Sequence, residues 1–202
     1  MDHTETGSSD LDGIELRKLA LRDQLITARG RMPLADLTER GVAIAAGLLD
    51  APEVRRAATV AAYVSVGREP GTGRILDGLV AAGRRVILPL LQPDNDLDWA
   101  AYAGPDSLRR AGRGLLEPAG PPLGAEALAT ADAVIVPGLA VDRDGMRLGR
   151  GGGSYDRALG RVPVGTFVCV VLNSEEILDE VPAAPHDRRV TAAATEHGVL
   201  RF

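Results

Sequence analysis

Four short apolar runs limit the fold most: "TVAAYVSV" (59–66), "RVILPL" (85–90), "DAVIVPG" (132–138) and "VGTFVCVVL" (164–172). Each has the length of a buried strand and is rich in β-branched residues. Helical stretches lie between and before them. "PLADLTERGVAIAAGLLD" opens at Pro33 and stops before Pro52, and "TGRILDGLVAAG" (72–83) has Thr72 as its expected N-cap and Gly83 as its stop. "LDWAAY" (97–102) reads as an edge strand, "GAEALATA" as a short helix, "SYDRALGRV" as the site of another, and "GVLRF" as a last short strand. Upstream, Ile14, Leu19, Leu21, Leu25 and Ile26, with the Lys18 stem, give helical spacing from Leu11 to about Arg29. Residues 1–10 have the composition of a disordered lead. Strands alternating with helices form a mostly parallel sheet covered on both faces. The expectation is a single α/β domain over residues 11–202, a three-layer αβα sandwich without repeats or linkers.

Composition narrows the functions. A chain of 202 residues with 45% hydrophobic residues can build a full core without disulfides or metal. Aromatics at 3% argue against a stacking surface for single-stranded nucleic acid or sugars, and a net charge of −5 argues against a general nucleic-acid binder. Any anion must therefore meet a local cluster of arginines. Cys169, the single cysteine, sits inside an apolar run and reads as a buried, inert thiol suited to a reducing compartment. No apolar stretch reaches the ~18–20 residues of a membrane span, and the N-terminus is unlike a signal peptide. The chain is expected in the cytoplasm.

One segment does not fit plain architecture. In "VPGLAVDRDGMRLGRGGGSYDRAL" (136–159), four of the five residues from Gly149 to Gly153 are glycine, and Arg147, Arg150, Tyr155, Asp156 and Arg157 crowd around them. The segment leaves the carboxyl end of an expected strand and enters an expected helix, where ligands of open parallel sheets collect. Free amides, a helix N-terminus and arginine forks suit a phosphate. The two common phosphate motifs nevertheless fail. Counting a P-loop from Gly145 places Arg150 where the second glycine belongs, and no lysine follows; a G-x-G-x-x-G begun at Gly149 meets Ser154 at its third glycine. A flexible connection between a strand and a helix stays open on these grounds alone.

The longer string is more specific. "PGLAVDRDGMRLGRGGGSYDRAL" resembles the signature of the 5-formyltetrahydrofolate cyclo-ligase family, roughly P-G-x-x-[FV]-D-x-x-G-x-R-L-G-x-G-x-G-[YFS]-Y-D. Pro137, Gly138, Asp142, Gly145, Arg147, Leu148, Gly149, Gly151, Gly153, Tyr155 and Asp156 match at the right spacing. "RKLALRDQL", "YVSVGREPGTGRIL", "GLLEP" and "PHDRRV" resemble other family segments, so the likeness covers most of the chain. The resemblance implies a fold related to sugar-phosphate isomerases and CoA transferases. It also implies conversion of 5-formyltetrahydrofolate to 5,10-methenyltetrahydrofolate with ATP and Mg²⁺, by phosphorylation of the formyl oxygen and ring closure by N10. Small molecules, a reduced folate and ATP, are then the expected partners of a monomeric chain, with neither nucleic acid nor membrane.

The resemblance also assigns residues. Arg150 is the expected catalytic cation. Lys18, Arg22, Arg147, Leu148, Gly149, Arg150, Gly151, Gly152, Gly153, Ser154 and Tyr155 are expected around ATP, with Arg147 also suited to anchoring the loop. Val64, Glu69 and the stretch Arg150–Ser154 are expected around the folate, with Glu69 accepting hydrogen bonds from pterin N–H groups. Asp156 and Asp187 are expected on Mg²⁺. Without the resemblance, Lys18 and Arg22 would read as a solvated basic face, Asp156 as a helix-dipole acid, Glu69 as a loop acid and Trp99 as a packing residue. The family often carries an aromatic where Ser154 stands and sometimes a base where Gly152 stands. Those departures leave room for a second reading, a non-catalytic nucleotide- or folate-binding regulator on the same fold.

Overall fold

In the computed structural model, which describes residues 5–202 and their side chains from residue 11, the chain builds one seven-stranded sheet with helices on both faces. In chain order the elements are α1 (Glu5–Arg31), α2 (Leu34–Asp50), α3 (Pro52–Arg56), β1 (Thr59–Ala61), α4 (Gly73–Ala81), β2 (Arg85–Leu91), β3 (Leu97–Tyr102), β4 (Leu108–Arg110) and β5 (Leu116–Pro118). There follow β6 (Ala133–Pro137), β7 (Ala140–Asp142), β8 (Arg147–Leu148), α5 (Ser154–Leu159), β9 (Phe167–Val171), β10 (Ile177–Leu178), β11 (Ala192–Thr195) and β12 (Gly198–Arg201). The sheet order is β12-β11-β9-β6-β1-β2-β3. The strands from β11 to β2 run parallel, and β3 and β12 close the two edges antiparallel. No described helix is long and apolar enough to cross a membrane.

Both faces of the central strands are buried, which is why their sequences read as continuous apolar runs. On one face Ile44 and Leu48 of α2 and Ile75 and Leu79 of α4 pack on Val60, Leu88 and Ile135. Burying side chains of this size contributes roughly 1.5–3 kcal/mol each. On the other face Trp99, Leu128, Val134, Val168 and Leu159 pack together. That layer is thin, built from the six-residue α5 and a 3₁₀ segment, Ala125–Thr130, where the sequence suggests an α-helix. β7, β8 and β10 form a small second sheet, and α1 docks on it through Leu21 and Leu25.

The crossing pattern fixes where a ligand can sit. From β1 the chain goes to β2 on one side and later to β6 on the other, so the order reverses between β1 and β6. The crevice beyond the carboxyl ends of these two strands is where such a sheet leaves room.

Several local expectations change. α1 begins at Glu5, ahead of the expected Leu11 start; residues 1–4 of the expected lead lie outside the described residues. The strand expected over 59–66 stops at Ala61, because Ser65 N–H donates to Thr72 Oγ1 (2.9 Å) and Val66 N–H to Glu69 Oε2 (2.9 Å). Thr72 makes no side-chain cap on α4; its hydroxyl donates to the Tyr63 carbonyl at 2.8 Å and ties down the strand exit. The strand expected from Val164 starts at Phe167, after Gly165 turns at φ +91°. Trp99 is a core residue, and Cys169 is buried with burial pushing its thiol pKa up, as an inert thiol requires.

Candidate active site

A cavity of about 360 Å³ opens at the reversal point. Val64 and Glu69 reach it from the segment after β1, Pro137 and Gly138 from the end of β6, and residues 149–156 from the glycine loop. A separate, apolar part of the wall comes from Pro89 and Leu91 of β2, Leu97 of β3 and Leu115–Leu116. Pro89 is tolerated inside β2 because β1 has already ended beside it and only β3 pairs there.

The glycine loop is built from its base upward. β7 and β8 form a short hairpin, and Asp142 holds its turn: Oδ1 accepts from Asp144 N–H (3.0 Å) and Met146 N–H (2.8 Å). Arg147 is buried. Its Nη2 bonds Asp156 Oδ1 at 3.0 Å, Nη1 donates to the Pro137 carbonyl at 3.2 Å, and its guanidinium carbon lies 5.9 Å from the Tyr155 ring centre. Gly151 (φ +93°) and Gly153 (φ +69°) then take left-handed backbone, which side chains other than glycine seldom adopt. The helix that follows is only six residues long, so its dipole adds little at this loop.

Arg150 differs from Arg147. Its side chain is 53% exposed, and its one ion pair among the described residues joins Nε to Glu69 Oε1 at 3.1 Å. Glu69 is buried to 5%, with Oε2 held by the Val66 amide. Burial first, and then the nearby Glu69 charge, push the Tyr155 hydroxyl up, so it keeps its proton at neutral pH. Tyr63 is shifted the same way for the same reasons, and its hydroxyl has no hydrogen-bond partner among the described residues.

Behind the loop lies α1, whose packed face joins cations to the leucines that meet the small sheet. Lys18, Arg22, Leu25 and Arg29 share one side of the helix. Lys18, only 3% exposed, bonds Asp187 Oδ2 at 2.6 Å and Glu15 Oε1 at 3.1 Å. Arg22 donates to the Gly149 carbonyl at 3.0 Å. Arg29, missed in the sequence, donates to the Gly138 carbonyl at 2.7 Å and pairs with buried Glu176. Its signal was available: Arg29 stands at helical spacing from Lys18 and Arg22. Leu19 and Ile26, which the apolar count relied on, face outward.

The expected residues therefore fall into two groups. Arg150, the glycines from 149 to 153, Ser154, Tyr155, Asp156, Arg147, Val64 and Glu69 share the cavity wall. Lys18, Arg22, Leu148 and Asp187 do not line it. Leu148 is buried in β8, where its carbonyl accepts the Leu139 amide at 2.8 Å. Asp187 nevertheless lies near Asp156, because the next residue, Arg188, donates its amide to Asp156 Oδ1 at 3.2 Å. Each carboxylate has one oxygen engaged: Asp156 Oδ1 by Arg147 and Arg188, Asp187 Oδ2 by Lys18 and the Ala184 amide. The other oxygens, Asp156 Oδ2 and Asp187 Oδ1, accept no hydrogen bond among the described residues, and His186 Nε2 stands 3.8 Å from Asp187 Oδ1.

Fold and site together define a class, an α/β protein with a glycine-rich loop lining a cavity at the carboxyl edge of its parallel sheet. A profile of the 5-formyltetrahydrofolate cyclo-ligase family matches residues 15–196. A 5-formyltetrahydrofolate cyclo-ligase of Mycolicibacterium smegmatis is 46% identical over 142 residues, 68% of this chain and 73% of the relative. The solved 5,10-methenyltetrahydrofolate synthetase of Aquifex aeolicus superposes with a TM-score of 0.79 at 26% identity, covering 91% of this chain and 92% of that one. A second synthetase structure, from Mycoplasma pneumoniae, shares the fold at a TM-score of 0.71 and 18% identity, with 89% and 98% of the two chains covered. The chain belongs to the 5-formyltetrahydrofolate cyclo-ligase family.

Proposed function

We propose that this chain converts 5-formyltetrahydrofolate and ATP to 5,10-methenyltetrahydrofolate, ADP and phosphate. The observation that carries the reading is one wall: the string from Pro137 to Asp156 curls around a cavity that the buried Glu69 faces from the segment after β1. The formyl oxygen attacks the γ-phosphorus and ADP leaves; N10 then attacks the formyl carbon, loses its proton, and phosphate departs with the original formyl oxygen.

In this reading Arg150 turns from Glu69 toward the triphosphate and offsets the charge of the transferring phosphoryl group, the role a mobile arginine fills in phosphoryl transfer. Its departure frees Glu69 Oε1 to accept from the pterin amine and ring N–H, beside Val64. The amides of Gly149, Gly151, Gly152 and Gly153 and the Ser154 hydroxyl face the phosphates, while Tyr155 stays neutral and adds no competing negative charge. Asp156 and Asp187 would hold Mg²⁺ through their free oxygens. Two carboxylates suit an ion that takes its remaining ligands from phosphates and water. When bound, Mg²⁺ would neutralise phosphate charge. Lys18, Arg22, Arg147 and Leu148 act at one remove: Lys18 orients Asp187, Arg22 and Arg147 fix the loop, and Leu148 seats its base. All these residues come from one chain, so a monomer suffices, and the buried thiol of Cys169 suits the cytoplasm.

Purified protein with MgATP and 5-formyltetrahydrofolate is expected to generate the near-ultraviolet absorbance of the methenyl product, with ATP consumed and no signal when it is omitted. Tight folate binding without turnover would replace the enzyme with a binding protein.

A further inference from the structure

Three arginines line the cavity, and two of them are matched by carboxylates: Arg147 by Asp156 and Arg150 by Glu69. The third, Arg113, is not. It stands at the tip of the β4–β5 hairpin, between Gly112 and Gly114, two residues before Leu115 of the apolar wall. Its one polar contact among the described residues is neutral, Nη1 to Asn95 Oδ1 at 3.0 Å. A guanidinium has five N–H donors, so this contact leaves most of the fork available. Arg113 also keeps a left-handed backbone (φ +60°), as does Asn95 (φ +64°), so the contact joins two tight turns and fixes where the cation stands.

A cation at the edge of an apolar surface suits a ligand that is aromatic in one part and anionic in the next. Building on the folate reading above, the substrate has that form: its pterin and aminobenzoyl rings are followed by a glutamate bearing two carboxylates. The remaining acid of this wall, Glu117, is held toward β2 by one oxygen, its Oε1 accepting from Leu91 N–H at 2.9 Å. Arg109 and Arg110, exposed on the same hairpin, add positive charge in a chain whose net charge is −5.

We propose that Arg113 is a specificity residue that binds a carboxylate of the folate's glutamate tail, while Glu69 takes the pterin. Arg113 plays no part in phosphoryl transfer, and its contribution is to substrate affinity. Because the residue is exposed, the expected effect is modest, about fivefold in affinity, and sensitive to salt.

The test compares 5-formyltetrahydrofolate with 5-formyltetrahydropteroate, which lacks the glutamate, in wild type, Arg113→Gln and Arg113→Lys. Wild type is expected to show a lower KM for the glutamate-bearing substrate, an advantage that shrinks at high ionic strength. Arg113→Gln raises that KM about fivefold, to the level of the pteroate, with kcat, the KM for ATP and the KM for the pteroate unchanged. Arg113→Lys restores part of the difference. Equal KM values for the two substrates in wild type, or an Arg113→Gln loss that is the same for both, overturns the assignment. Absence of turnover of either substrate by wild type overturns the folate reading itself.

Discussion

The base and the crest of the glycine loop, three residues apart in sequence, are held in opposite ways. At the base, Arg147 is buried to 4% and tied to Asp156 and the Pro137 carbonyl, with Arg22 clasping the Gly149 carbonyl from behind. At the crest, Arg150 is half exposed and held by one ion pair, on glycines that impose no shape of their own. A buried, multiply bonded arginine is strongly destabilising to remove because its partners are left uncompensated. An exposed one has little effect on the fold and is free to meet a ligand. The same residue type is therefore locked into the structure at 147 and left exposed at 150, where the proposed function places it on the triphosphate.

The largest effect that tests this contrast is Arg147→Ala. Unfolding by denaturant is expected to show a loss of about 3–5 kcal/mol, since Asp156 loses its buried cation; a loss below about 1 kcal/mol would erase the distinction. Next, Arg150→Ala is expected to lower kcat by roughly 10²–10³-fold while stability changes by less than about 0.5 kcal/mol. A smaller effect comes from Asp156→Asn, whose amide oxygen still accepts from Arg147. The Mg²⁺ concentration for half-maximal activity is expected to rise at least about tenfold, and an unchanged Mg²⁺ titration would remove Asp156 from the metal site.

The smallest effect lies away from the loop. Hydrogen bonds from Arg201 pull the Glu53 carboxyl down to about 2 from an ordinary 4.5. A carboxylate depressed in the folded state adds stability above its unfolded value, and that stability fades as pH falls from 4.5 toward 2. The pair is partly exposed, so its contribution is under about 1 kcal/mol. Glu53→Gln should flatten the acid limb of the stability curve in that window and leave turnover at neutral pH unaltered.

The sheet's central strands were legible because burial on both faces writes itself as unbroken apolar runs at 85–90, 132–138 and 164–172. β11 was not, since "AAAT" is buried through small residues with weak strand preference, and its place is set by β9 and β12 beside it. The two-residue strands β8 and β10 leave no periodicity to detect. In the site, the ordered string located the loop, Asp156 and Arg150 without any structure. It did not separate Arg147 from Arg150, because burial and partners decide their difference, and neither is local in sequence. Arg29 was missed because a helix with leucines at helical spacing suggests a wholly apolar packed face, whereas α1 packs Lys18 and Arg29 beside Leu21 and Leu25. Arg113 belongs to a hairpin whose nearness to the cavity arises only from the packing of β5 on β2 and β3.

The central claim is tested most directly by following methenyl formation from 5-formyltetrahydrofolate and MgATP in wild type and Arg150→Ala side by side, with both unfolding midpoints recorded. ATP-dependent turnover by wild type, lost in a variant that unfolds with it, is the predicted result. Wild-type turnover by Arg150→Ala would contradict the assignment of the crest, and silence from a folded wild type would contradict the activity.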